Sequence, residues 1–142
     1  MTRLILALIL CLTFLSCEQA KPEKDKERIE AVCDMFMQNF RDGKLSEALQ
    51  LLKQNSVLAS STIDTLYSTI TSQMKSIFPS YGRMLSYEFI SERKIKDFIA
   101  RRFYILKFEK SYLKFDFTFY KNESGWKITS FNYNEDLIEL LY

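Results

Sequence analysis

RRFYILKFEKSYLKFDFTFYKNESGWKITSFNY, Arg101–Tyr133, decides the fold of this chain. Leu113, Phe115, Phe117 and Phe119 fall on alternate positions, with Tyr112, Lys114, Asp116, Thr118 and Tyr120 between them. Successive side chains of a strand point to opposite faces, so Tyr112–Lys121 reads as a strand with one aromatic face and one polar face. Asn122–Gly125 is a four-residue hairpin loop of turn formers. Trp126–Tyr133 returns as the next strand, and simple alternation puts Trp126 and Ile128 on one face, Phe131 and Tyr133 on the other. Upstream, Ile99–Phe108 carries Phe103, Tyr104, Ile105 and Leu106 without a polar break. That run predicts a central strand covered on both faces. Met84–Ser91 alternates again and reads as the first strand, joined to the second by the charged connection Glu92–Asp97.

The residues before this meander have helical spacing. Ile29, Val32, Cys33, Phe36, Met37 and Phe40 recur at steps of three and four, and Asp42-Gly43 offers a left-handed stop. A second, shorter helix follows through Leu45, Ala48, Leu49 and Leu52 to Asn55. The third runs through Ile63, Leu66, Tyr67, Ile70, Met74, Ile77 and Phe78, with Ser61 and Asp64 in capping-box spacing and Pro79 at its end. Asp136–Tyr142 has the composition of a short terminal helix. Helices followed by an antiparallel four-stranded meander define an α+β fold.

The sequence has 142 residues, enough for one domain, and 47% apolar residues, enough for its core. The net charge of +2 leaves no basic footprint, and no nucleic-acid partner is expected. The absence of His removes the usual general base near neutral pH and the commonest zinc ligand, so no cofactor or metal is expected.

Residues 1–16, MTRLILALILCLTFLS, have the order of an export signal: Arg3, the apolar run Leu4–Leu15, then small Ser16 before Cys17. This resembles the lipobox of bacterial lipoproteins, with Phe14 and Leu15 standing where Leu and a smaller residue are commoner. The resemblance implies cleavage before Cys17, diacylation of its thiol and attachment to a membrane of the cell envelope. Two or three acyl chains hold a protein at a bilayer without a spanning helix. Loss of residues 1–16 removes Arg3 and no acid, leaving +1. Residues 17–27, charged and containing Pro22, read as a flexible tether to a domain over 28–142. Cys33 would then be the single free thiol. Its place on the apolar face favours a core residue over a reactive one.

The element order and the segment FTFYKNESGWKITSFNYN resemble the nuclear-transport-factor-2-like, or cystatin-like, cone. The residues that carry the likeness are Phe119, Tyr120, Lys121, Gly125, Trp126, Lys127 and Ile128. The resemblance implies a curved sheet wrapped on a long helix, a pocket at its open end, and pairing of two copies through their sheets. Enzymes of that superfamily place Asp, His or Tyr in the pocket, but none of their motifs stands here. Asp116, the acid within the clearest strand, is the candidate for an isomerase- or hydrolase-like site; on the polar face it reads more simply as a solvated residue paired with Arg101. The quieter face, with Arg101, Tyr112, Asp116 and Tyr120, is the candidate pocket or homodimer surface. A non-catalytic domain that binds a partner or an apolar small ligand is the leading expectation, beside a pocket enzyme and a structural module of an envelope complex.

Overall fold

The computed structural model describes residues 21–142, with side chains from residue 24. Residues 1–20, with the expected cleavage and lipidation sites, lie outside the described residues. The chain forms α1 (Lys21–Arg41), α2 (Leu45–Asn55), α3 (Ser60–Ser76) and the short α4 (Phe78–Tyr81). The strands β1 (Met84–Ile95), β2 (Ile99–Phe108), β3 (Tyr112–Asn122) and β4 (Gly125–Asn134) follow, and α5 (Ile138–Leu141) ends the chain. The sheet is an antiparallel meander in the order β1-β2-β3-β4, so the α+β reading holds.

Phe36 and Phe40, four residues apart on α1, carry the helix onto the sheet. Phe36 meets Phe117 edge-on at 5.3 Å, and Phe40 meets Phe115 at 4.9 Å. All four rings are fully buried. A fully buried Phe side chain contributes about 2–3 kcal/mol relative to exposure. Strand β2 is central, as expected: Tyr104 is buried on the helix face and Phe103 on the outer face. Gly43 ends α1 with φ 75°, the left-handed conformation a glycine permits at no steric cost.

Four details differ from the expectation. First, α1 begins at Lys21 and runs through the residues read as a tether. The first turns are held from across the chain. Asp25 Oδ2 accepts from the Trp126 backbone N–H at 2.6 Å, and Lys26 Nζ donates to Glu92 at 2.7 Å and to Glu30. Second, β1 continues to Ile95, because Glu92, Arg93 and Lys94 pair in register with Arg102, Arg101 and Ala100. Third, no side chain caps α3: its cap position is Ala59, and Pro79 opens α4 instead of only closing α3.

The fourth difference is in β4. Thr118 pairs with Ser130 and Phe119 with Ile128, so Thr129 is an extra residue. Its hydroxyl donates to the Thr118 carbonyl at 3.3 Å. This bulge shifts the alternation by one, so Phe131 faces the helices together with Trp126 and Ile128, and all three are buried. The last turn of the chain also changes the outer face. It folds back over the sheet through Glu139, and Lys114 and Asp116 become buried there (both 1% exposed).

Candidate functional site

On the outer face, β2 and β3 place Arg101, Phe103, Lys114 and Asp116 near one another. Arg101 Nε donates to Asp116 Oδ1 at 3.1 Å. Its Nη1 and Nη2 donate to the two oxygens of Glu139 at 2.8 and 3.0 Å. Lys114 Nζ donates to Glu139 Oε2 at 3.0 Å. The guanidinium carbon also lies 5.0 Å from the Phe103 ring centre, over its face. Two cations and two carboxylates thus balance under the last turn of the chain. The hydrogen bonds from Lys114 and Arg101 hold the Glu139 carboxyl below its ordinary range. Burial opposes the charge of Arg101, but Glu139 and Asp116 outweigh it and keep the guanidinium firmly protonated. Asp116 Oδ2 is buried with no hydrogen-bond partner. The expected pairing with Arg101 is present. The expected exposure of Asp116 is not, because Glu139 and Arg101 close over it.

A second charged cluster lies where α1 meets β1 and β2. Arg102 stacks on Phe89 at 4.3 Å and donates to Tyr104 Oη at 3.1 Å and to Glu92 at 3.2 Å. It also lies 3.3 Å from Glu30. Tyr104 Oη donates to Asp34 at 2.5 Å. Burial, reinforced by that bond, raises the Tyr104 hydroxyl well above its ordinary range. Burial likewise raises Cys33, so its thiol stays protonated and behaves as core. This cluster ties the start of α1 to the sheet. Among the described residues, no group of three or more His, Cys, Asp or Glu gathers to hold a metal ion.

An apolar groove of about 470 Å³ opens on the outer face beside the first cluster. Its walls include Leu85 and Ile90 of β1, Ile105 of β2, and Leu140 and Leu141 of α5. Lys107 and Tyr112 stand among its polar atoms. The groove exists because Glu139 pins α5 against the sheet. The Asp136 side chain opens that turn by accepting from the Ile138 N–H at 2.9 Å.

Of the four expected site residues, Arg101 and Asp116 meet directly. Tyr112 borders the groove, and its hydroxyl donates to the Glu135 carbonyl at 3.2 Å. Tyr120 lies eight residues along β3, about 27 Å away at the strand repeat, and is 44% exposed. Sequence reasoning missed Lys114, Glu139 and the leucines of α5. The one signal was the apolar and acidic composition of Asp136–Tyr142. No family model, curated protein or solved structure matches the chain.

Proposed function

We propose that the chain is a bacterial cell-envelope lipoprotein whose folded part is a non-catalytic, cone-like binding domain for an apolar small ligand. The observation that carries the binding reading is the groove between β1, β2 and α5, whose surface is mainly apolar and comes from aliphatic and aromatic side chains. Apolar concavities with a few polar groups at the rim are the usual form of small-molecule sites. The anchor rests on Arg3, the apolar run Leu4–Leu15 and the Ser16-Cys17 pair. No helix among the described residues is long and apolar enough to cross a membrane. Long helix α1 under a curled antiparallel meander supports the nuclear-transport-factor-2-like assignment.

An enzyme reading would rest on Asp116. Its carboxylate lies beneath Arg101 and Glu139 and does not line the groove. The centre of the outer face is occupied by the chain's own last turn, so pairing of two sheets through β3 would have to use the Tyr120 end.

The test is binding of N-phenyl-1-naphthylamine, which fluoresces in apolar surroundings. The protein is expected to bind it saturably. Ile90→Asp, at a position 43% exposed and therefore tolerant, is expected to weaken binding about tenfold. Equal binding by the variant would remove the groove as the site.

A further inference from the structure

The end of the sheet opposite the groove carries exposed apolar side chains that the core does not need. Ile95, Ile99, Tyr120 and Lys127 form one cross-strand row on the outer face. Phe98 packs edge-on against Tyr120 at 6.5 Å, and the Lys121 N–H donates to the Phe98 carbonyl at 2.9 Å. Ile95, Phe98 and Tyr120 are 61%, 38% and 44% exposed. Lys127 stands in the row and Lys96 in the β1–β2 turn beside it, and neither makes an ion pair within 4 Å among the described residues. Asp97 and Glu123 are the acids at these two turns.

The start of α1 is at this same end. Asp25 sits on the β3–β4 hairpin through the Trp126 N–H. Cys17 precedes Lys21 by four residues, which span at most about 14 Å even fully extended. The row itself crosses four strands, about 14 Å at the interstrand spacing.

We propose that this end is a membrane-docking face: Ile95, Phe98 and Tyr120 enter the headgroup layer of an anionic bilayer while the lysines contact lipid phosphates. Aliphatic and aromatic side chains flanked by lysines suit that boundary, since the rings and stems sit in the apolar zone and the ammonium groups reach outward. The orientation rests on the anchoring at Cys17 proposed above. A tether this short keeps the face within reach of the bilayer, so weak contacts suffice to hold it down. With this end down, the groove at the other end of the sheet is held away from the lipid and open to the aqueous phase.

The test uses the full chain reconstituted in vesicles of phosphatidylcholine alone or with phosphatidylglycerol, each containing lipid brominated high on its acyl chains. The chain has one tryptophan, Trp126, which is buried and gives the baseline. Phe98→Trp is compared with Ile77→Trp, an exposed position beside Leu113 at the far end. The Phe98→Trp protein is expected to lose fluorescence on anionic vesicles and the Ile77→Trp protein to keep it. Lys96→Gln with Lys127→Gln should shift the docked-to-undocked ratio about fivefold per lysine. Equal quenching at both positions overturns the inference. So does a Phe98→Trp protein that is dimeric in solution and stays unquenched on the vesicles, which would assign the row to a second copy. The mass of the same sample reports on Cys17 separately: an acylated but unquenched protein refutes docking alone, and a quenched but unacylated protein refutes the anchor alone.

Discussion

Replacing Glu139 by Gln removes one charge from a cluster of four whose charges cancel. The expected cost follows from the geometry. Glu139 accepts three hydrogen bonds from cations, two from Arg101 and one from Lys114, at 2.8 to 3.0 Å. Sheltered bonds to charged groups contribute about 1.5–3 kcal/mol each. Glu139 itself is 40% exposed, and exposed ion pairs fall to about 0.2–1 kcal/mol. Lys114 tips the balance. Its side chain is 1% exposed, and Glu139 is its one carboxylate partner within 4 Å among the described residues. Stranding a buried ammonium costs more than losing a surface pair, so the expected total is about 2 kcal/mol. For a domain of this size that is a fall in Tm of about 8 °C. Urea unfolding followed by circular dichroism should show a lower midpoint with an unchanged slope. The pH dependence adds a second arm. The Glu139 carboxyl titrates below its ordinary 4.5 in the folded state, through its bonds to Lys114 and Arg101. Its stabilisation is therefore complete above about 4.5 and lost as the pH falls through the lower folded value. The gap between wild type and Glu139→Gln should close from pH 7 toward pH 3. A gap under about 0.5 kcal/mol at pH 7, or one that persists at pH 3, would refute the latch role of Glu139.

Gly125 has φ 106°, and a Cβ there would run into the Asp25 carboxylate that accepts from Trp126. Gly125→Ala should cost about 1–3 kcal/mol by chemical denaturation, and a neutral effect would mean that α1 is not seated on the hairpin. Deleting Thr129 removes the bulge and leaves Ile128 and Ser130 as successive partners of Phe119 and Thr118, so Trp126, Ile128 and Phe131 stay on one face by simple alternation. That deletion should therefore keep a cooperative thermal transition; its loss would contradict the placement of the extra residue at Thr129. Cys33, buried and with its thiol pushed up by burial, should react with a disulfide reagent only at the rate of unfolding. Prompt labelling in native buffer would contradict its core position.

The meander was legible because alternation is local: Leu113–Phe119 identifies its own buried face without a partner. The centrality of β2 was legible for the same reason, since an unbroken apolar run such as Phe103–Leu106 has no solvated side to offer. The bulge at Thr129 was not, because an extra residue is defined only against Thr118 and Phe119 on the facing strand. The first turns of α1 read as a tether because their composition is that of a solvated segment. Their stability comes from Glu92 and Trp126, far along the chain. The candidate site was half visible. Arg101 and Asp116 are cross-strand neighbours in two strands that the pattern defines well. Glu139 stands 38 residues from Arg101 in a turn too short to show a helical period, so neither the latch nor the groove wall could be foreseen.

The most direct test of the functional account is native mass spectrometry of the protein extracted from the membranes of a bacterial host that processes lipoproteins. The account predicts a chain that begins at Cys17, carries acyl groups on that residue, and retains an apolar adduct that the Ile90→Asp variant lacks. A chain with a free Cys17 thiol and no adduct would contradict it.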